Sequence, residues 1–293
     1  EIADRDWSSD VCSSDLEQII PLFEKTFYEN TFGTVGVVVS DETTVEVTPY
    51  RLESSYSDNR HPDNVTFSNK LEDDLKRRDF TINALAADVI KGEVVDNFDG
   101  LKDLESKTIR AVGNPDKRFT EDALRLIRAI RFSAELGFTI EHETQNSIIK
   151  HSDYIRNISI ERIRDEVTKI ISSDNPMLGF VFLEKLGLLK NFLPEISSAV
   201  GVTQNQAHSF DVFEHLLRSL QCAADKKYPF YVRLAAFLHD VGKPATKRTI
   251  KGGKDCTFYG HEVVGAKMAA EILKRMKFNN ENVKLVTDRK SVV

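Results

Sequence analysis

Short apolar segments separated by polar stretches occupy the first third of the chain. Over residues 35–53, the stretches VGVVVS and TTVEVTPYRLE predict two strands joined by a tight turn at Asp41-Glu42. After a polar loop, SYSDNRHPDN, the pattern predicts a helix over EDDLKRRDFTINALAADVI and a short strand over GEVVDNF. We expect Asp99-Gly100 to end this α/β region.

From residue 114 onward, apolar residues recur with helical spacing. One predicted helix, TEDALRLIRAIRFSAELG, has Thr120 as its N-cap and Gly137 as its C-cap. A second, ISIERIRDEVTKIISS, has Ser159 as its N-cap and an i,i+4 ion pair between Arg162 and Glu166. Three more helices are predicted over MLGFVFLEKLGLL, DVFEHLLRSLQCAA and YVRLAAFLHDVG. The expected fold class is α+β, a small α/β front followed by helices.

Composition excludes some classes of protein. The 293 residues are long enough for two domains, and 41% hydrophobic with 29% charged residues is ordinary for a globular chain. No apolar run approaches the length of a membrane span, so no membrane partner is expected. Three scattered cysteines, Cys12, Cys222 and Cys256, form neither a disulfide framework nor a zinc motif, which favours a reducing, cytoplasmic setting.

Charge is distributed unevenly along the chain. The net charge of −6 argues against a surface that binds nucleic acid everywhere. Residues 101–131 nevertheless contain eight Lys and Arg against five Asp and Glu. Such a basic strip suits docking of one phosphate-rich partner, while a solvated helix face is the alternative.

Two segments have side chains suited to a nucleotide. In KRRDFTINALAAD, Arg77 and Arg78 could hold a triphosphate in bidentate geometry, although a charged helix start explains them equally well. In EDALRLIRAIRF, Asp122 and Arg125 lie one helical turn apart. A carboxylate beside a guanidinium can read the Watson–Crick edge of a base, and the alternative is an i,i+3 salt bridge.

Four segments together resemble a known family. RRDFTINALA, DNFDGLKDL, EDALRLIRAIRF and ISIERIRDEVTKII resemble, in order and spacing, motifs of the bacterial-type (class II) CCA-adding tRNA nucleotidyltransferases. Poly(A) polymerases and separate CC- and A-adding enzymes share these motifs. The resemblance implies a polymerase-β-like palm with two Mg²⁺ ions, followed by a helical neck that reads the incoming base without a template.

The resemblance also assigns residues. Asp122 and Arg125 would pair with CTP and then ATP, and Glu46 matches a third acidic position of the metal site. The tRNA 3′-hydroxyl would attack the α-phosphorus of the nucleotide. The positions expected to bind nucleotide are Arg77, Arg78, Asp79, Asn83, Asp122, Arg125, Arg128 and Arg131, and those of the hinge are Asp99, Gly100 and Asp103.

The chain departs from the family before the segment EQIIPLFEKTF. The family's Gly-Gly loop and D-x-D carboxylate pair are expected there, but residues 6–16 read DWSSDVCSSDL and contain no D-x-D arrangement. Residues 12–16 can be coded TGC TCT TCC GAT CTN, which contains the reverse complement of GAT CGG AAG AGC, a coding of residues 288–291. We therefore expect residues 1–16 and 288–293 to derive from sequencing adapters, and the printed chain to transfer little or no nucleotide.

A second group of residues lies downstream. His215, the adjacent pair His239-Asp240, and His261 resemble the ligand set of the HD phosphohydrolase superfamily. Imidazoles with a carboxylate suit a divalent metal, and a helical body without a working metal is the alternative.

We predict the following organisation and function. The expected divisions are a partial palm over 17–100, a neck over 101–175 and a helical body with a partial HD domain over 176–287. The predicted function of the parent protein is addition or repair of the tRNA 3′ CCA end from CTP and ATP. The alternatives are a poly(A) polymerase or an A- or CC-adding relative, an HD-type metal-dependent phosphohydrolase with an RNA-binding front half, and binding of tRNA or nucleotide without turnover.

Overall fold

The computed structural model describes residues 16, 18–29, 33–40, 43–53, 65–204, 209–250 and 255–287. The two stretches interpreted as adapter-derived lie outside these residues apart from Leu16, as does the turn at Asp41-Glu42. No helix in the described part is long and apolar enough to cross a membrane.

The front of the chain is a three-stranded antiparallel sheet with the order β1-β2-β3. Its strands are β1 (Thr26–Glu29), β2 (Thr34–Ser40) and β3 (Thr43–Val47). The β2–β3 pairing confirms the predicted hairpin, and the first four residues of β2, which include Val35 and Val37, are buried. The second predicted strand, over residues 43–53, is divided into two: β3 ends at Val47, and its last three residues form a separate strand in a second antiparallel pair. The separate pair is β4 (Arg51–Glu53) and β5 (Val65–Phe67).

The single helix predicted over residues 72–90 is wrong. The segment begins as helix α1 (Leu71–Lys76), and after a short 3₁₀ turn it becomes strand β6 (Leu85–Asp88), paired antiparallel with β7 (Glu93–Asp96). Phe80 explains the break, since its backbone is extended and its side chain is completely buried in the core of the neck. The strand predicted over GEVVDNF is confirmed as β7.

The neck is helical, with one parallel strand pair of β8 (Thr108–Ile109) and β9 (Thr139–Ile140). Thr120 is not an N-cap, because it lies inside α3 and the chain bends into an extended conformation at Asp122 before α4 begins. Gly137 does end α4 in the left-handed conformation, with φ of 68°, as predicted. The neck helices are α2 (Gly100–Glu105), α3 (Pro115–Glu121), α4 (Leu124–Leu136), α5 (His142–His151) and α6 (Ile160–Ser172).

Within α6, the predicted partners differ from the observed ones. Ser159 occupies the N-cap position without a side-chain hydrogen bond. The predicted Arg162–Glu166 pair is absent from the described ion pairs, since Arg162 contacts Asp122 and Glu166 contacts Arg131. Partners from α4 and the bend before it therefore outcompete the i,i+4 neighbour.

The remaining helices pack on the neck through a shared core. One cluster of buried apolar side chains runs from Phe80 in the front to Val283 near the end of the described chain, whereas the sheet has a small cluster of its own. The observed fold is α+β, as predicted, with helices dominating after the front. The helices that follow the neck are α7 (Pro176–Lys185), α8 (Pro194–Ser197), α9 (Val212–Asp225), α10 (Phe230–Leu238), α11 (Lys243–Thr246), α12 (His261–Arg275) and α13 (Asn280–Thr287), with a short strand pair of β10 (Arg248–Thr249) and β11 (Cys256–Thr257).

Candidate functional site

A cavity of about 520 Å³ lies where the segment after α1 meets the neck. Seven of the eight residues predicted to bind nucleotide line it, although they come from two separate parts of the sequence. Five arginines against two aspartates give the cavity a positive character. The lining residues are Arg77, Arg78, Asp79, Asn83, Asp122, Leu124, Arg125, Arg128 and Arg162.

Two arginines at one side of the cavity are held by a single carboxylate. Asp74 is buried and contacts Arg77 at 2.6 Å and Arg78 at 3.1 Å. Arg78 is 44% exposed, and its only other described hydrogen bond is to the Asn83 carbonyl. Because a guanidinium has five N–H donors, this arrangement leaves Arg78 able to bind an anion such as phosphate.

Asp79 organises the cavity from within. Its Oδ1 accepts from the Phe80 amide at 2.9 Å and from Asn83 Nδ2 at 3.1 Å, and its Oδ2 lies 2.6 Å from Arg128 Nη2. Burial would lower the pKa of Arg128, but the charge and hydrogen bond of Asp79 outweigh it and raise that pKa. Arg128 and Asp79 thus join the neck to the front of the chain.

The two candidate base-reading side chains do not pair with each other. Asp122 accepts from the Leu124 amide at 3.0 Å and contacts Arg162 at 3.1 Å. Arg125 Nη1 donates to Glu121 at 2.8 Å. The i,i+3 salt bridge is therefore not formed, because the bend at Asp122 ends α3 and turns the carboxylate toward α6.

Arg125 is held in place by a buried network. Its Nη2 donates to the Arg77 carbonyl at 2.9 Å, and Arg118 Nη1 donates to the Lys76 carbonyl at 2.9 Å. Glu121 lies between the two guanidinium groups and contacts both, at 2.6 Å and 2.8 Å. Arg125, a candidate base reader, is thereby hydrogen-bonded to the backbone of Arg77, a candidate phosphate-binding residue.

Arg131 does not line the cavity. It lies 2.7 Å from both Glu135 and Glu166, and its guanidinium stacks 3.9 Å from the centroid of the Phe132 ring. Each i,i+3 step on an α-helix turns the side chain by about 60° relative to the previous one. Two such steps rotate Arg131 away from the face that Arg125 occupies.

The predicted hinge is a tightly fixed turn. Asp99 has φ of 60°, and a Cβ on Gly100 would lie 2.4 Å from the Thr81 carbonyl oxygen, so glycine is required there. Asp103 is buried and accepts from the Thr81 hydroxyl at 2.6 Å while pairing with Arg110. The segment that carries Asp79 is thus anchored to the start of the neck.

Asp96, which the sequence reasoning did not single out, stabilises the start of α2. Its carboxylate accepts from the amides of Gly100 and Leu101, both at 2.9 Å. Burial alone would raise the pKa of Asp96, but these backbone hydrogen bonds lower it. Asp96 therefore supplies the cap that Asp99, in the left-handed conformation, does not.

Glu46 lies exposed on β3, opposite Gly36. The stretch where a carboxylate pair is expected lies outside the described residues. In the part of the chain that the structure describes, the group of His, Cys, Asp or Glu residues arranged to hold a metal is elsewhere, at His215, His239 and Asp240.

The four predicted HD residues meet around one carboxylate. Asp240 Oδ2 lies 3.1 Å from Nε2 of both His215 and His239, and Oδ1 lies 3.3 Å from Nε2 of His261. The Nδ1 atoms of His239 and His261 lie 2.8 and 2.7 Å from backbone carbonyls. A proton on each Nδ1 leaves Nε2 as the free ligand atom, so the donor set fits a divalent metal.

Lys243 was missed by the sequence reasoning although it lies within HDVGKP. Its buried ammonium is 2.7 Å from Asp240 Oδ2 and donates to Gln204. Burial would raise the pKa of Asp240, but His239 and Lys243 hold it well below its usual range. Asp240 in turn raises the pKa of His239, against the effect of burial. The carboxylate stays ionised, as a metal ligand must.

Arg162 is a third residue whose role the sequence reasoning did not assign. It belongs to ISIERIRDEVTKII, one of the four segments that carry the family resemblance, and that membership was the available signal. Its expected partner was Glu166 on the same helix. Only the fold reveals that it reaches across to Asp122 and lines the cavity.

Family models match three consecutive parts of the chain. Residues 1–110 match the poly A polymerase head domain, residues 137–200 match the probable RNA and SrmB-binding site of polymerase A, and residues 207–290 match the HD domain. The chain therefore carries, in order, matches to a polymerase head domain, an RNA-binding region and an HD domain.

The relatives in sequence are bacterial CCA-adding enzymes. That of Ligilactobacillus salivarius is 48% identical over 171 residues, which cover 58% of this chain and 42% of the relative. That of Leuconostoc mesenteroides is 42% identical over 231 residues, which cover 75% of this chain and 57% of the relative. The chain is thus similar to CCA-adding enzymes, and it spans about half the length of the relatives that it matches.

Solved structures of CCA-adding enzymes are similar to this chain as well. The Bacillus stearothermophilus CCA-adding enzyme in complex with CTP is 27% identical, with a TM-score of 0.59 over 94% of this chain and 64% of that one. The Thermotoga maritima CCA-adding enzyme complexed with tRNA is 20% identical, with a TM-score of 0.61 over 95% of this chain and 58% of that one. The second likeness establishes the fold alone.

Proposed function

We propose that this chain is the nucleotide-selecting part of a template-independent tRNA nucleotidyltransferase, which adds or repairs the 3′ CCA end from CTP and ATP. The observation that carries the proposal is the cavity itself. It places the acceptor of Asp122 and the donors of Arg125 beside the arginines that can hold a triphosphate. The names of the sequence relatives support the same reaction.

Each part of the cavity has a distinct task in this proposal. Arg77 and Arg78, gathered by Asp74, bind the triphosphate. Asn83 adds an amide at the ribose or phosphate, and Arg128 balances the charge of Asp79. Asp122 accepts a hydrogen bond from the edge of the base, and Arg125 donates one to it. Because the neck residues are bonded to the backbone of the phosphate-binding segment, base and triphosphate are bound in one fixed relation.

The transfer step requires a further component. In the family, two Mg²⁺ ions would supply the charge stabilisation that such a displacement needs. Among the described residues, Glu46 is exposed and belongs to no group of three or more side chains arranged to hold a metal. We therefore propose that the described residues bind nucleotide, and that efficient transfer needs a carboxylate pair outside them. The cytoplasmic setting expected from its cysteines, and the tRNA 3′ end as its partner, belong to the same proposal.

Incorporation of labelled nucleotide tests the function of the parent gene product. The substrate is a tRNA transcript that lacks its 3′ end, incubated with CTP alone, ATP alone or both. CCA addition gives C residues with CTP alone and a terminal A only after them. Addition of A alone, in long runs, would instead identify a poly(A) polymerase.

A metal-dependent phosphohydrolase activity is the second candidate function. The observation favouring it is the convergence of His215, His239, His261 and Asp240 with ligand nitrogens facing one carboxylate. A divalent metal held there supplies a Lewis acid for a phosphoryl oxygen. Release of phosphate from 2′,3′-cyclic or other nucleotide substrates, lost on His239→Ala, would support it.

A further inference from the structure

Arg162 has an unused donor in the nucleotide cavity. Among the described side chains that line the cavity, Arg162 alone has a buried nitrogen, Nη1, without a hydrogen-bond partner. A buried donor left unpaired destabilises the protein, so such an atom in a native structure calls for a partner. A ligand in the cavity is the partner that the position of Arg162 suggests.

The other terminal nitrogen of Arg162 fixes the candidate base reader. Nη2 donates to Asp122 Oδ2 at 3.1 Å, while Oδ1 accepts from the Leu124 amide at 3.0 Å. A carboxylate held at both oxygens by donors from two different helices cannot rotate freely. Each oxygen still has a second lone pair for a ligand.

The pair presents an acceptor next to a donor. Asp122 Oδ2 is the acceptor, and Nη1 of the guanidinium bonded to it is the donor. Cytosine and adenine each have an amino group, which donates, beside an unprotonated ring nitrogen, which accepts. These two groups complement the acceptor of Asp122 and the donor of Arg162. Uracil and guanine offer a carbonyl beside a ring N–H, which opposes that arrangement. The chemistry of the pair therefore separates the two accepted bases from the two rejected ones.

Arg125 has fewer donors to spare. Its Nη1 donates to Glu121 and to the Arg118 carbonyl, and its Nη2 donates to the Arg77 carbonyl. Its side chain is 11% exposed, compared with 29% for Arg162. The Arg162 side chain as a whole is thus more exposed than that of Arg125, while its Nη1 is buried at the cavity.

We infer that Arg162 determines base selectivity in this cavity, by orienting Asp122 and by donating through Nη1 to the acceptor of cytosine or adenine. This inference rests on the proposed function and adds a third residue to base recognition.

Nucleotide binding to the chain tests the inference. Titration calorimetry with CTP, ATP, UTP and GTP, each as its magnesium salt, gives four dissociation constants for every variant. Arg162→Met should reduce the preference for CTP over UTP by about tenfold, because one base-reading pair is lost, while UTP affinity changes by less than about threefold. Arg162→Lys keeps the charge but has a single nitrogen, so its preference should fall between those of wild type and Arg162→Met.

Arg164→Met is the matched control. Arg164 lies on the same helix two residues on, and it donates to Asp165 and the Lys277 carbonyl rather than lining the cavity. Its selectivity should equal that of the wild type.

Three results would overturn the inference. The first is an unchanged CTP to UTP ratio in Arg162→Met with wild-type circular dichroism. The second is an equal loss of affinity for all four nucleotides, which would assign Arg162 to the phosphates. The third is wild-type selectivity in Arg162→Lys, which decides the matter if Arg162→Met does not fold. Failure of the wild-type chain to bind CTP or ATP would instead refute the proposed function.

Discussion

Replacing Arg233 with Met should destabilise the chain strongly. Arg233 lies in α10 and is only 7% exposed, and its side chain extends to the C-terminal end of α6. Its Nη1 lies 3.2, 3.0 and 2.8 Å from the carbonyls of Ile171, Ser172 and Ser173, and its Nε donates to the Tyr228 carbonyl at 2.9 Å. The positive charge also lies at the negative end of the α6 dipole, which is a stabilising arrangement.

The magnitude follows from these contacts. Hydrogen bonds to charged groups contribute about 1.5–3 kcal/mol each, and the three carbonyls share the two protons of one nitrogen. Met keeps most of the apolar stem, so the packing loss is small. We expect the free energy of unfolding to fall by about 3–5 kcal/mol, out of the roughly 5–15 kcal/mol typical of a folded protein.

Urea denaturation followed by far-UV circular dichroism measures this loss. Arg218→Met is the control, because Arg218 is half exposed and pairs with Glu214 on the surface of α9, where the change should cost about 1 kcal/mol or less. A fall of less than about 1 kcal/mol in the free energy of unfolding of Arg233→Met would refute the view that this arginine stabilises the contact between α10 and α6.

Three further predictions concern other parts of the molecule. Gly100→Ala should lower the melting temperature, because its Cβ would meet the Thr81 carbonyl oxygen at 2.4 Å; an unchanged melting temperature would contradict this close approach. Asp116 has a pKa lowered to about 2, chiefly by Lys150, so its contribution to stability is complete above pH 3.8 and is lost as pH falls through 2. The stability gap between wild type and Asp116→Asn, measured by urea denaturation, should narrow over that range. Manganese titration should show one site per chain that His239→Ala removes, and equal binding by the variant would count against the HD site.

The sequence was informative where one local pattern had one structural interpretation. The β-branched residues of β2 and β3 flank two acidic turn residues, and the hairpin follows from that arrangement. The segment after α1 was ambiguous, because LAAD fits a helix as well as a strand. Burial of Phe80 against the neck, a contact between distant parts of the chain, settles that choice.

In the candidate site, the sequence likewise predicted some features and not others. The residue types were recognisable from the family motifs, so Asp122 and Arg125 were singled out. Their partners were not, since Glu121 and Arg162 compete with the nearest neighbours only after the helix bends at Asp122. The contact between Arg128 and Asp79, which are 49 residues apart, depends on the tertiary fold alone.

A crystal structure of the chain with CTP bound tests the central claim most directly. The account predicts cytosine within hydrogen-bond distance of Asp122 and at least one neighbouring guanidinium, with the phosphates against Arg77 and Arg78. A nucleotide bound outside this cavity, or bound within it with its base toward Arg77 and its phosphates toward Asp122, would contradict the account.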